Sequence, residues 1–415
     1  MSTGSAAVRM ERDGLGERAV PADALYGIHT VRALENLGFS SRALGSCPVY
    51  VRTLGMVKRA TAHANRAAEI LEPRIAAAIE TATAPLIAGE LLQHFPVDLF
   101  GGGGSIGIHM NVNEVVANLA NESLGGRRGD YTPVTTRHVG ASQSTADVCH
   151  TALRLAILQE WEPLKDVLAR TTQTLRDREQ SFASIPTLAR TCLQDALPTS
   201  LGVLFGGYRA LMARRAQSLE ASVHPLRAIA LGGTVIGSGD GAPARYRAEI
   251  VPRLAEVTGF PLVARTPLPD ALQNSDDIAD VSAQLRLLAE SLIKVAQDLR
   301  LLASGPGGGF GEIRLPPVQE GSSFFAGKQN PVIAETVMQC AFLVIGCDRA
   351  VQAANEHAEL YLNVFDGLAA VQVLDALALL RAALERFEAR CLRGLQADEE
   401  RCRALAALGR GAATR

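Results

Sequence analysis

Seven apolar residues, Val281, Leu285, Leu288, Leu292, Val295, Leu299 and Leu302, recur at alternating spacings of four and three. That is an a/d seam sustained over three heptads, and it requires a long helix packed at a shallow angle against other long helices. Further long helices are predicted at about 144–178, 198–222 and 334–358, where Ala, Leu, Val and Ile recur on more than one face. A helix that is apolar on several sides must be covered on several sides, which points to burial between subunits. No strand-rich or low-complexity region interrupts the pattern, and aromatics make up only 5% of the chain. The expected fold class is all-α, built on a central bundle of long helices.

A chain of 415 residues exceeds what one ordinary core supports, so more than one domain is expected. Turn-rich polar stretches suggest 1–137 as an N-terminal helical domain, 138–385 as the central bundle and 386–415 as a short C-terminal segment. Residues 127–133 form the first boundary, and residues 232–247, with five glycines and a proline, read as a long loop inside the bundle domain. The last residues, GRGAATR from Gly409, read as a frayed tail. Net charge is −2, and no basic block exceeds a short Arg pair, which argues against nucleic acid or a membrane as the main partner. No apolar run is long and uninterrupted enough to span a bilayer. The first residues lack the apolar core of a signal peptide, and the seven cysteines are scattered without a CxxC pair. The expected location is the cytoplasm, with reduced thiols. The eight histidines show no metal-binding spacing, so neither a metal nor another cofactor is expected. The quartet Gly101 to Gly104 lacks the Lys-Ser/Thr that ends a P-loop.

Chemistry concentrates in residues 321–335, GSSFFAGKQNPVIAE. Such a loop can present hydroxyls, backbone N–H groups and one ammonium to a small anion, and its glycines let the backbone approach closely. It resembles the signature loop of the aspartase/fumarase superfamily, a GSS followed by a P-x-K-x-N-P run, with Ala326 where that proline usually sits. Residues 20–36 (VPADALYGIHTVRALEN), 110–118 (MNVNEVVAN), 138–147 (HVGASQSTAD) and 189–198 (ARTCLQDALP) resemble further motifs of the same family in the same order. The resemblance runs from about residue 11 to the low 400s.

The resemblance implies a three-domain helical fold whose central helices form a twenty-helix core in a homotetramer, with active sites shared between subunits. Its third domain would here be truncated. It also implies a lyase that removes a proton next to a carboxylate and expels a group from the neighbouring carbon of a small anionic substrate. Such chemistry needs a positioned base, and donors aimed at the developing dianion. Carried over by the motifs, Ser322 is the base, and Ser323, Lys328 and Asn330 bind substrate. Ser144, Thr145, Thr191 and Asn111 are implied as further substrate contacts. Read from the residues alone, Ser144 or Thr145 would also serve as the N-cap of the helix that follows, which offers N–H groups and a positive dipole end to an anion.

Departures from the family pattern gather in the substrate motifs. Ala146 stands for an asparagine, Cys192 for a histidine or glutamine, Ile106 for a threonine, Val112 for a threonine and His109 for an asparagine. A hydrogen bond to a charged group contributes about 1.5–3 kcal/mol. Two or three lost bonds would therefore weaken recognition of aspartate or malate by about two to six decades unless other groups compensate. Ser105, His109 and nearby arginines such as Arg32 are the candidates for compensation. Cys192 reads as an apolar pocket filler, and Glu335 either supports the site or pairs with Lys328. The expected reaction is β-elimination from a small polyanionic acid to an α,β-unsaturated acid, with a leaving group or anionic end other than those of aspartate and malate. Phosphate or nitrite as leaving group, or a sulfonate for a carboxylate, would fit. Aspartate ammonia-lyase activity is the alternative, and a catalytically silent scaffold homologue is the alternative of another class.

Overall fold

The computed structural model describes residues 7–409, so the predicted frayed tail beyond Gly409 and the first six residues lie outside the described residues. The chain divides into two compact units. One comprises Met1–Gln159, His224–Ala279 and Ala350–Gln372, the other Glu160–Val223, Asp280–Arg349 and Val373–Arg415. Helices dominate both. The predicted long helices are found as Thr145–Ser181, Leu201–Val223, Asp276–Leu302 and Val332–Glu356, within about one turn of the expected limits.

In the second unit every residue of the 281–302 seam is 8% exposed or less, as an a/d stripe requires. Phe182, Phe205 and Tyr208 add an edge-to-face chain with ring centroids 5.2 and 5.5 Å apart. By contrast Val203, Phe342 and Leu343 stand more than half exposed on their helices. The helical stretch Asp366–Leu392 is long and apolar enough to cross a membrane by length and composition, but 56% of its most apolar part is buried, as in a core helix.

Short strands depart from the helical expectation. The motif 189–198 lies on an antiparallel hairpin, Pro186–Thr191 with Gln194–Ser200. Its strength comes from partners distant in sequence, which is why local pattern does not show it. Buried Glu312 accepts from the Thr187 hydroxyl and, at 2.5 Å, from Arg190, whose guanidinium lies 4.2 Å from the centre of the Phe310 ring. Helix Glu399–Gly409 packs on the same hairpin.

In the first unit helix Pro48–Ala67 opens with a proline at its first turn and buries Val51, Leu54 and Val57 along one stripe. It packs against helices Pro73–Ala82 and Ala244–Thr258. The loop predicted over 232–247 belongs to this unit and ends earlier than expected, because Pro243 sits at the N-cap of Ala244–Thr258. Buried Asp147 ties that loop down by accepting from Gly232 N–H (3.2 Å) and Thr234 N–H (3.0 Å).

Helix Ile28–Leu37 has no side-chain cap of its own. Glu114 instead accepts from the N–H groups of Gly27 (2.8 Å), His29 (2.8 Å) and Thr30 (3.2 Å), and Glu11 from that of Ile28 (2.9 Å). Two carboxylates thus meet the donors and the positive dipole end of this helix. On the helix that carries Glu114, Ile106–Ser123, the Asn118 and Asn121 amides clamp the backbone at Leu25, Gly129 and Val134. The MNVNEVVAN motif is therefore largely a set of buried backbone clamps.

Candidate active site

The 321–335 loop closes on itself. Gly321 N–H donates to Lys328 O at 2.9 Å, and Asn330 Nδ2 donates back to Gly321 O at 2.6 Å. Glycine is required at 321 by space, since a Cβ there would meet Lys328 O at 2.4 Å. This closure aims the backbone at Ser322. Its Oγ accepts from the N–H groups of Phe324 (3.1 Å) and Phe325 (3.0 Å). Donors on a hydroxyl oxygen favour its anionic form, the form a serine base needs. Ser322 is half-buried, whereas Ser323 and Lys328 are exposed, and the Lys328 ammonium lies 5.9 Å from the centre of the Phe325 ring. These residues line a cleft of about 570 Å³ together with Phe324 and Phe325. Asn330 acts as a brace for the loop in this state. Glu335 does not pair with Lys328: it binds Arg300 at 3.2 Å, because the first turn of helix Val332–Glu356 turns it toward helix Asp276–Leu302.

A second cluster lies in the first unit, at the start of helix Thr145–Ser181. Ser144 forms its cap: Asp147 N–H donates to Ser144 Oγ (3.2 Å), while Ser144 N–H (2.8 Å) and its hydroxyl (3.1 Å) face Asp147 Oδ1. Burial raises the Asp147 carboxyl to about 6 despite these donors. Thr145 is not used in this way. Its Oγ1 lies 2.9 Å from Nδ1 of buried His109, and His109 Nε2 lies 2.8 Å from the ammonium of Lys58, which also donates to Gln143 Oε1 at 2.7 Å. Burial first, and then the Lys58 charge, hold the His109 imidazolium well below the usual range. Lys58 is fully buried, and burial pulls its ammonium down to about 7. Neither Lys58 nor Gln143 was expected at a site. The signal for Lys58 was a single lysine inside the apolar stripe of helix Pro48–Ala67.

A family model described as Lyase matches residues 16–346 of the chain. The chain belongs to the aspartase/fumarase superfamily of lyases. It is 40% identical to an aspartate ammonia-lyase of Pseudomonas fluorescens over 97% of its own length and 84% of that relative. Among solved structures it resembles a fumarate lyase:delta crystallin of Brucella melitensis bound to cobalt, with a TM-score of 0.94 and 41% identity, covering 96% of this chain and 87% of that one. A class II fumarase of Schistosoma mansoni aligns with a TM-score of 0.92 at 26% identity, covering 96% and 87% of the two chains.

Placed in the superfamily fold, the remaining predicted residues divide. Thr191 is at the tip of the hairpin, not on a helix, and is exposed. Beside it Cys192 and Leu193 hold φ of 55° and 60°. Two consecutive left-handed residues make a tight two-residue turn that normally favours Asn-Gly, so bulky residues there are strained. Cys192 is exposed in this chain, at the turn of the hairpin, and not buried as an apolar filler would be. Ser105 is buried at the N-cap of helix Ile106–Ser123, where a Cβ on Gly367 would meet its Oγ at 2.9 Å. Asn111 is buried and donates to His94 O at 3.0 Å. Arg32 is held by Asp13 in a two-point pair at 2.7 Å, and this contact takes the Asp13 carboxyl down to about 2. Arg32 lines a shallow cavity with Ile106 and Met110. Ala146 faces an apolar cluster of Ala230, Ala271 and Leu272. Among the described residues no group of three or more His, Cys, Asp or Glu is placed to hold a metal.

Proposed function

We propose that the chain is a β-eliminating lyase of small dicarboxylates, with Ser322 as the base. The observation that carries this reading is the pair of backbone N–H groups on Ser322 Oγ inside a loop braced by Asn330. Ser322 takes the proton from the carbon next to one carboxylate. That carboxylate becomes a dianion, for which Lys328 and loop N–H groups are donors, and the neighbouring carbon then expels its substituent to leave an α,β-unsaturated acid. Thr145 and the start of its helix hold the other carboxylate, with Thr191 and Ser323 as further contacts.

Aspartate is the first candidate substrate. The curated relatives named aspartate ammonia-lyase support it, and so does the polar chain behind Thr145, which supplies donors where the sequence departs from the family pattern. A second reading, an acid carrying another leaving group or anionic end, is favoured by Ala146, whose apolar packing offers no donor. Purified protein assayed with aspartate, malate, fumarate plus ammonia, and phospho- or sulfo-substituted three- and four-carbon acids should give a conjugated product, followed by ultraviolet absorbance. Brisk aspartate turnover decides for the first reading. Turnover of a substituted acid alone decides for the second, and no turnover of any would leave a silent scaffold homologue.

The proposed assembly is a cytoplasmic homotetramer whose active sites draw on more than one subunit. Exposed Phe342, Leu343 and Val203 on long helices support it, because large apolar side chains left in water on a helix gain from a partner's cover. Sedimentation at micromolar concentration is expected to show a tetramer, and a stable monomer would overturn this assembly.

A further inference from the structure

We propose that Lys58 acts through His109 as a switch on the Thr145 hydroxyl, making the start of helix Thr145–Ser181 a subsite for an ionised, acceptor-only oxyanion such as a carboxylate. The proposal rests on the reading of Thr145 as a substrate contact and deepens it.

The polarity of the chain follows from Gln143. Its Nε2 donates to Val139 O and Ala141 O, both at 3.0 Å, so the atom facing Lys58 is the acceptor Oε1. Lys58 therefore donates to Gln143, and as an ammonium it donates to His109 Nε2 as well. A neutral imidazole that accepts at Nε2 carries its proton on Nδ1, and that N–H points at Thr145 Oγ1, 2.9 Å away. Thr145 then accepts from His109, and its own hydrogen is free to point at a ligand oxygen. The chain runs one way, from Lys58 to His109 to Thr145 to ligand. When Lys58 loses its proton, its lone pair can accept from Nε2–H. The imidazole then accepts at Nδ1, and Thr145 turns its hydrogen inward, presenting only lone pairs. A carboxylate, which only accepts, is favoured by the first state and disfavoured by the second.

The setting allows the switch to work near neutral pH. Burial brings Lys58 to about 7, partly offset by Cys149 and Asp147 on helix Thr145–Ser181. His109 faces it from helix Ile106–Ser123, and Tyr246 of helix Ala244–Thr258 faces Asp147. Glu80 on helix Pro73–Ala82 is engaged elsewhere, by His63 and Arg66. Lys58 is not placed to touch substrate; it is a positioning residue.

Fumarate is the probe, with its monoamide as the comparison, and binding is measured by calorimetry at about pH 6 and about pH 8. The wild-type protein is expected to bind fumarate severalfold and at most about tenfold more tightly at the lower pH, the limit set by the ratio of protonated Lys58 at the two pH values for a group that titrates at about 7. Lys58→Met, nearly isosteric, and His109→Phe, which cuts the chain while keeping a ring, should both abolish that difference with helical circular dichroism unchanged. The monoamide, able to donate as well as accept at one end, should show a smaller difference in the wild type. An unchanged pH dependence in either folded variant overturns the switch. Thr145→Ala separates the two levels: if it weakens fumarate while Lys58→Met and His109→Phe do not, Thr145 is a contact and the switch is wrong. If Thr145→Ala has no effect, or the wild type does not bind fumarate at about 10 mM, the underlying reading of Thr145 fails and the switch with it.

Discussion

Ser322→Ala is expected to lower turnover by about 10²–10⁴-fold, the usual contribution of a positioned general base, while the fold and substrate binding remain. The local cost is small because Ser322 Oγ takes part only in hydrogen bonds from Phe324 and Phe325, in a loop whose tip is solvent-exposed. Losing a hydrogen bond of this kind costs about 0.5–1.5 kcal/mol. The closure between Gly321, Lys328 and Asn330 does not involve that hydroxyl, so the loop should keep its shape. The signature of a base is a fall in kcat with KM nearly unchanged. Rates near the wild type would place the base elsewhere, and neighbouring Ser323, more exposed and without the two N–H donors, would be tested next.

Arg154→Met is expected to produce the largest loss of stability, about 3–5 kcal/mol, the cost of removing one partner from a buried ion pair. Arg154 is 1% exposed. It binds Asp277 at two points (2.8 and 2.9 Å) and Asp366 at 3.2 Å, and Asp366 also accepts from Ser275 at 2.6 Å. Without the guanidinium, Asp366 is left with a serine and a histidine 3.8 Å away, while Asp277 keeps Arg265. Burial by itself would push the Asp366 carboxyl up; Arg154, His150 and Ser275 outweigh it and hold the carboxyl below the usual range. A depressed carboxyl stabilises the fold above its unfolded pKa and loses that contribution as pH falls through the folded value. In Arg154→Met the same burial, no longer outweighed, raises the Asp366 carboxyl, so the gap between wild type and variant, measured as the urea midpoint, should be full near neutral pH and begin to close above about pH 4, as the variant's Asp366 takes up a proton. Adding Asp366→Asn should recover part of the loss, because a neutral buried amide no longer needs the counter-charge. A single variant within about 1 kcal/mol of wild type would contradict the pairing.

The sequence alone determined whatever repeats at short range. The heptad seam, the long helices and the 321–335 loop were legible because helix periodicity, capping and turn chemistry act within a few residues. Ser144 as a cap belongs to the same class: its partner Asp147 is three residues away. Everything that depends on who meets whom waited for the tertiary structure. Lys58 meets His109 across 51 positions, Glu114 caps helix Ile28–Leu37 from more than 80 residues downstream, and Arg154 meets Asp366 across 212. The hairpin carrying Thr191 was missed for the same reason, since Glu312 anchors it from 122 residues away. A lone polar residue in an apolar pattern has no period. Its burial and partners are decided by packing and desolvation between elements, and a local reading of the chain does not contain them.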